Sequence, residues 1–189
     1  MEYYGVVHPD CGGFLRLRST AKTNYARYYA FPAILRVDGK VLIAYKNGVS
    51  HGWEKEGAAV SLEQAVLDVA SQRVERVDVL YAAEERIAQM GEYVRMPNGD
   101  IGLYIDMQDR SATSRRTGME ALRSRDGGRT YCLEGPVGLV DGVEYGYPLN
   151  FCEKNGRVYM ATMTFPYLAG SKGRRQVHVI SSADSGASW

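Results

Sequence analysis

The chain has 189 residues, of which 45% are hydrophobic and 24% charged, and its net charge is +1. This length and balance indicate one ordinary globular domain with a buried core. A charge so close to zero gives no electrostatic reason to expect nucleic acid or an anionic membrane as a partner. No apolar run approaches the length of a membrane span, and the first residues show no signal peptide, so a cytoplasmic location is the default expectation.

The three cysteines, Cys11, Cys132 and Cys152, are widely spaced and include no Cys-X-X-Cys pair. Their pattern indicates neither a disulfide framework nor a zinc site. We therefore expect free thiols, and the sequence predicts no cofactor and no metal ligands.

Short β-rich runs joined by a glycine-containing turn recur along the chain. Ahead of them, residues 14–18 alternate apolar and basic side chains, as is typical of an outer strand. Asp-Gly or Asn-Gly between apolar runs is the strongest short-range signal for a hairpin. The glycines of successive turns are 60 and 57 residues apart. The turns are Asp38-Gly39 between 31–37 and 41–45, Asn98-Gly99 between 93–96 and 101–105, and Asn155-Gly156 between 149–152 and 158–162.

A second motif, Ser-X-Asp-X-Gly-X-hydroxyl-aromatic, occurs twice with a spacing of 58 residues. In such a turn the aspartate carboxylate accepts hydrogen bonds from backbone N–H groups, glycine adopts a positive φ, and the aromatic ring covers the turn. We therefore expect a structural role for these residues rather than a catalytic one. They are Ser124, Asp126, Gly128 and Tyr131 in the first copy, and Ser182, Asp184, Gly186 and Trp189 in the second.

This motif resembles the Asp-box, or BNR repeat, of the sialidase-like β-propellers of the neuraminidase superfamily. The resemblance implies an all-β fold of four-stranded antiparallel blades, and a period of just under sixty residues suits one such blade. We expect one domain, 1–189, with blade 1 at about 31–81, blade 2 at about 91–134 and blade 3 at about 147–189. Blade 3 lacks a fourth strand.

The first repeat departs from the other two after its second strand. Ser61 and Gln64 stand in capping-box positions, and Leu62, Val66 and Val69 follow at helical spacing. The sequence therefore predicts a short helix over 62–72 in place of the Asp-box, followed by an outer strand over 74–81.

Three blades make half of the six-bladed ring that the resemblance implies. Three explanations stay open: a fragment whose C-terminal half is missing, a half-propeller that forms a homodimer, or a chain completed by a different partner. Whether an ion such as calcium occupies a central channel is also open.

The alternating strand directions place both kinds of turn at one end of each blade. Function is therefore expected in the loops at the opposite end, which we call the working end. Aromatic rings there can stack on a sugar, and arginines can hold its carboxylate or hydroxyls. The predicted ligand-binding residues are Arg27, Tyr28, His51, Trp53, Arg110 and Tyr145, and the predicted acid and base come from Glu54, Asp106 and Asp109.

The sialidase site itself is not matched. The family motif aromatic-Arg-aliphatic-Pro aligns with Tyr29-Ala30-Phe31-Pro32, so Ala30 stands where the resemblance implies a carboxylate-binding arginine. The acid/base aspartate of the family would fall in 46–51, where no carboxylate occurs. The sequence thus favours a carbohydrate-directed relative, a glycoside hydrolase with an altered site. The alternatives are a non-catalytic glycan- or protein-binding propeller and a half-propeller that assembles with itself.

Overall fold

The computed structural model describes residues 28–51, 60–110 and 115–189, and every regular element in these ranges is a β-strand. The expected all-β fold of antiparallel blades is confirmed. In that described part of the chain, no helix is long and apolar enough to span a membrane.

Two four-stranded sheets and one three-stranded sheet follow each other along the chain, and each is a simple antiparallel meander. A two-stranded hairpin, β9 (Leu139–Val140) with β10 (Val143–Glu144), lies in the link between the second and third sheets. Blade 1 contains β1 (Tyr28–Val37), β2 (Lys40–Gly48), β3 (Ser61–Asp68) and β4 (Arg73–Tyr81). Blade 2 contains β5 (Arg86–Arg95), β6 (Ile101–Asp109), β7 (Arg116–Ser124) and β8 (Cys132–Pro136), and blade 3 contains β11 (Gly146–Lys154), β12 (Arg157–Met163) and β13 (Val177–Ser182).

The helix predicted over 62–72 is wrong, because residues 61–68 form β3 in the middle of blade 1. Leu62 and Val66 lie on the same face of the strand and pack into the core shared with blade 2. β3 pairs with β2 on one side and with β4 on the other. This pairing outweighs the local helical pattern, because helix propensity contributes less than the backbone hydrogen bonds that β3 makes with two neighbouring strands.

Two apolar cores lie between the blades rather than within any one of them. Between blades 1 and 2, side chains such as Leu42 and Leu62 pack with Leu103 and Ile105. Between blades 2 and 3, the core is formed by residues that include Tyr104, Met119, Val158, Met160 and Ile180. Because strand residues alternate between faces, every blade must contribute one face to each neighbour.

The two serine–aspartate turns have nearly the same hydrogen bonds. The Ser124 hydroxyl donates to the Asp126 carboxylate at 2.8 Å and accepts from the Gly128 N–H at 2.8 Å. The Asp126 carboxylate also accepts from the Thr130 N–H at 2.9 Å. In the second copy, Ser182, Asp184, Gly186 and Ser188 repeat these contacts.

The aromatic side chains of these turns pack between blades. The Gln64 side chain accepts hydrogen bonds from the hydroxyls of Tyr93 (2.7 Å) and Tyr131 (2.9 Å) and donates to the Gly128 carbonyl (2.9 Å). The Trp189 ring meets the Tyr104 ring edge to face, with centroids 5.4 Å apart. Each turn therefore ties its own blade to the preceding one.

Blade 1 closes its last hairpin with a shorter turn. The Asp68 carboxylate accepts from the Ser71 N–H and from Lys40 Nζ, both at 2.6 Å. The Val69 N–H donates to the Gly39 carbonyl at 2.9 Å, so the two hairpin turns of this blade lie at the same end. Cys132 and Cys152 are exposed free thiols on β8 and β11, and Cys11 lies outside the described residues.

Substituting Ser124→Ala is expected to lower the free energy of unfolding by about 1–3 kcal/mol, because the buried Gly128 N–H loses its acceptor. Urea denaturation followed by circular dichroism measures this loss. The matched control is Ser181→Ala, since the Ser181 hydroxyl accepts a hydrogen bond from the exposed Arg157. Equal losses in the two variants would contradict the structural role of Ser124.

Acid should weaken both serine–aspartate turns. Hydrogen bonds from the hydroxyl groups of Thr130 and Ser188 hold the pKa values of Asp126 and Asp184 well below the ordinary range. A depressed folded-state pKa contributes stability that is present above the unfolded value of about 4 and is lost as the pH falls below it. The urea concentration at the unfolding midpoint should therefore decrease as the pH is lowered from about 4 to about 2, and it should decrease less in a variant that combines Asp126→Asn with Asp184→Asn.

Candidate functional site

Two of the innermost strands contain the same backbone distortion near the working end. Phe31 in β1 and Tyr147 in β11 have φ angles of 55° and 73°. Each precedes a proline, and the pairing register shifts at both places. A bulky residue at positive φ is strained, and a bulge re-aims the side chain next to it. These two rings therefore point where a regular strand would not place them.

In blade 1 the re-aimed ring contacts a histidine. The Phe31 and His51 ring centroids are 5.3 Å apart, and Tyr28 approaches the same imidazole at 6.2 Å. The fully buried Lys46 donates to the Ser50 carbonyl at 3.0 Å and to Gln89 Oε1 at 2.9 Å. Gln89 also donates to the His51 carbonyl. Lysine and glutamine thus fix the start of the loop that carries the histidine.

Between blades 2 and 3, a buried carboxylate faces an arginine. Asp106 is completely buried on β6, and Arg116 Nε lies 3.1 Å from both of its carboxylate oxygens. Gln108 Nε2 donates to the same carboxylate at 3.2 Å. Burial raises the pKa of Asp106 to about 6, against the opposing effects of Arg116 and Gln108. At neutral pH Asp106 and Arg116 therefore form a buried ion pair.

Arginines and aromatic rings stack in layers above this pair. The Arg116 guanidinium lies 4.8 Å from the Tyr147 ring centroid and 4.5 Å from that of Phe165. Arg175 covers Phe165 at 4.9 Å, and Arg115 covers Tyr167 at 5.4 Å. We call this group the arginine–aromatic cluster; its members are Arg115, Arg116, Tyr147, Phe165, Tyr167 and Arg175.

The loops of blades 2 and 3 hold the cluster together. The Tyr167 hydroxyl accepts from the Arg116 N–H at 3.0 Å. The Phe165 and Tyr167 rings stack with centroids 6.0 Å apart. The Thr164 N–H donates to the Gln176 carbonyl at 2.9 Å, which closes the loop between β12 and β13 at its base. The cluster is therefore positioned by both blades at once.

The residues that the sequence analysis proposed for one site lie at several different places in the structure. Tyr28 and His51 come together, and Asp106 joins the arginine–aromatic cluster through Arg116. Asp109 instead closes its own loop, since its carboxylate accepts from the Arg115 N–H at 3.1 Å and its N–H donates to the Arg115 carbonyl at 2.9 Å.

The other proposed residues contact different parts of the molecule or fall outside the described residues. The Arg110 guanidinium donates to the Ala83 carbonyl at 3.2 Å, in the link from blade 1 to blade 2. Tyr145 is only 7% exposed and packs on His178 with ring centroids 5.3 Å apart, so it belongs to the core between blades 2 and 3. Arg27, Trp53 and Glu54 lie outside the described residues.

The residues predicted for ligand binding and catalysis include none of the six members of the arginine–aromatic cluster, and they omit Gln89 and Gln108 as well. A usable signal for Phe165 is the aromatic-Pro-aromatic run Phe165-Pro166-Tyr167 directly after β12. The signal for Tyr147 is that Tyr145-Gly146-Tyr147-Pro148 repeats the aromatic-small-aromatic-Pro pattern of 29–32. In the described ranges, no three His, Cys, Asp or Glu side chains come together as ligands for a metal ion.

Comparison with solved structures supports the propeller fold. No protein-family model and no curated protein matches the chain. Among solved structures, it is similar to a protein of unknown function from Dyadobacter fermentans, with a TM-score of 0.65 and 14% identity over 86% of this chain and 53% of that one. It is also similar to the Hadza microbial sialidase, with a TM-score of 0.57, 16% identity, and coverage of 86% and 33%. The chain has the fold of a sialidase-like β-propeller.

A third similar structure is a Trypanosoma rangeli sialidase in complex with sialic acid, with a TM-score of 0.56 and 12% identity over 89% of this chain and 28% of that one. The chain thus spans about half of the Dyadobacter protein and a third or less of the two sialidases. At these identities the comparisons define the propeller fold of the three blades and leave its chemistry to the residues themselves.

Substituting Arg116→Met is expected to lower the free energy of unfolding by about 3 kcal/mol at pH 7.5, because it leaves a buried carboxylate unpaired. Burial raises the folded-state pKa of Asp106 above its unfolded value, so stability from this group falls as the pH rises through that interval. Removing the arginine raises the folded-state pKa of Asp106 further, so the pH interval over which stability falls extends to higher pH. The deficit should therefore be smaller at pH 5 than at pH 7.5, as measured by urea denaturation.

Adding Asp106→Asn to that variant should recover part of the lost stability, because the unpaired charge is gone. A deficit that is the same at both pH values, or an unchanged deficit in the double variant, would show that Asp106 and Arg116 are not coupled.

Proposed function

We propose that the chain is part of a carbohydrate-directed sialidase-like propeller, with the arginine–aromatic cluster as a sugar-binding surface at its working end. The observation that carries this proposal is the layering of three arginines on three aromatic rings above the pair of Asp106 and Arg116. Aromatic rings offer a flat apolar surface for a sugar ring, and guanidinium groups offer paired donors to a carboxylate.

The charge of the cluster favours an acidic sugar. In the part of the chain that the structure describes, Arg115 and Arg175 have no carboxylate within ion-pair distance, whereas Arg116 is paired with Asp106. Both unpaired guanidinium groups are on exposed residues, and Tyr167 beside them is 44% exposed. Two cations next to an accessible ring match a ligand that carries a carboxylate on a pyranose.

Binding is supported more directly than hydrolysis. Asp106 is completely buried and already paired with Arg116, and Asp109 closes its own loop. A hydrolase would need two carboxyl groups on either side of the bond to be cleaved. Hydrolysis is the second candidate, because burial raises the pKa of Asp106 to about 6 and so gives this group a protonated fraction in mildly acidic solution.

Acidic oligosaccharides are expected to bind the chain more tightly than neutral oligosaccharides of the same length, and the affinity should fall with added salt. Substituting Arg175→Gln should raise the Kd about tenfold, which corresponds to about 1.4 kcal/mol. Isothermal titration calorimetry or a glycan array measures these affinities. The matched control is Arg129→Gln, an exposed arginine in the serine–aspartate turn at the opposite end.

Two outcomes would contradict the proposal: binding to neither class of sugar, or equal weakening by the two arginine variants. Release of an aryl leaving group from synthetic glycosides, abolished by Asp106→Asn with no change in the circular dichroism spectrum, would instead support the hydrolase candidate.

A further inference from the structure

The Arg116 side chain is held in place along its whole length by residues of blade 3. The backbone N–H of Arg116 donates to the Tyr167 hydroxyl at 3.0 Å. A β-carbon added at Gly146 would lie 3.4 Å from Cβ and 3.6 Å from Cδ of Arg116, so the aliphatic stem lies close to the backbone of β11. The guanidinium lies 4.8 Å and 4.5 Å from the ring centroids of Tyr147 and Phe165. This arginine therefore has little freedom to change rotamer.

Asp106 fixes the orientation of the Arg116 guanidinium. Nε of Arg116 lies 3.1 Å from both carboxylate oxygens. The carboxylate is itself held, because it is completely buried and accepts a second hydrogen bond, from Gln108 Nε2 at 3.2 Å. Since the guanidinium is planar and rigid, a bond from Nε to a fixed acceptor also sets the position of the two terminal nitrogens.

The two terminal nitrogens of Arg116, Nη1 and Nη2, are the part of the side chain without a protein partner. Neither of them has an acceptor among the residues that the structure describes. Neither is fully buried, and the side chain as a whole is 20% exposed. These nitrogens present parallel N–H donors at the working end, and a carboxylate accepts two such bonds at once.

The other arginine that pairs with a buried carboxylate is arranged differently. Between blades 1 and 2, Arg86 forms an ion pair with Glu120 through Nη2. The same nitrogen donates to the Tyr81 hydroxyl at 3.2 Å. One terminal nitrogen of Arg86 is thus already occupied, whereas Arg116 pairs through Nε and keeps both terminal nitrogens free of described acceptors.

We infer that Arg116 binds the carboxylate of an acidic sugar through Nη1 and Nη2, and that Asp106 is a positioning residue that holds the guanidinium for this contact. The inference rests on the proposed function and assigns the carboxylate contact to one arginine of the cluster. Arg115 and Arg175 are exposed and each covers one ring, so they attract the anion but lose more side-chain freedom when they bind it.

Isothermal titration calorimetry with trigalacturonic acid, and with the same trisaccharide converted to its carboxamide, tests the assignment. Arg116→Lys keeps the positive charge beside Asp106 but removes the planar pair of nitrogens. It should raise the Kd for the acid about tenfold and leave the Kd for the carboxamide nearly unchanged. The matched control, Arg86→Lys, makes the same change in the other arginine–carboxylate pair and should change neither Kd. Circular dichroism checks that both variants are folded.

Asp106→Ala separates positioning from charge, because the two effects have opposite signs. Loss of a negative charge beside the site would by itself tighten the binding of an anion, whereas release of the guanidinium from its fixed orientation weakens it. We expect the Kd for trigalacturonic acid to rise, with little change in the Kd for the carboxamide. The matched control is Glu120→Ala, which removes the carboxylate of the other pair and should leave both Kd values unchanged.

The outcomes distinguish this inference from the proposed function. If Arg175→Gln weakens binding of the acid but Arg116→Lys does not, the assignment to Arg116 is wrong and the proposed function stands. If Asp106→Ala binds the acid more tightly than the unchanged chain does, Asp106 does not position the arginine. If the unchanged chain binds the acid no more tightly than the carboxamide, the preference for acidic sugars fails, and this inference fails with it.

Discussion

Packing of one blade face against the next is the constraint on which the rest of this structure depends. The apolar cores lie between blades, so no single four-stranded sheet buries its own hydrophobic residues. Leu42 of blade 1 is buried in a core that also contains Leu103 of blade 2, and Met160 of blade 3 is buried in a core that also contains Tyr104 of blade 2. The same requirement explains the serine–aspartate turns, whose aromatic residues reach across to the preceding blade, as Tyr131 does to Gln64.

The arginine–aromatic cluster is an extension of this packing. Along β6, Tyr104 and Asp106 occupy the same face, which changes from apolar core to buried carboxylate as the strand approaches the working end. Blade 3 supplies Tyr147 and Phe165 from the other side. The arginine–aromatic cluster thus begins where the apolar contact between blades 2 and 3 ends. The carboxylate buried at that boundary is paired with an arginine, which offsets the cost of burying its charge.

The error over residues 62–72 has a clear physical origin. Leu62 and Val66 are four positions apart, and that spacing puts two residues on one face of a helix and also on one face of a strand. Only the pairing of β3 with β2 and β4 decides between these conformations. The sequence pattern placed Gln64 in a helix cap. In the structure it is instead a buried amide whose oxygen accepts hydrogen bonds from the hydroxyls of Tyr93 and Tyr131. Both of these partners lie in blade 2, far along the chain.

Features that depend only on neighbouring residues could be predicted from the amino-acid sequence. Glycine at positive φ, an aspartate next to free backbone N–H groups and a repeat of fixed length are local properties, and they were enough to predict hairpins, serine–aspartate turns and antiparallel blades. Which residues meet at the working end depends on how the blades pack. Arg116 reaches Asp106 from the next strand and is covered by Tyr147 and Phe165 from the next blade, and the strained φ of Tyr147 aims its ring. Contacts of this kind depend on how two blades pack, which the order of residues within either blade does not encode.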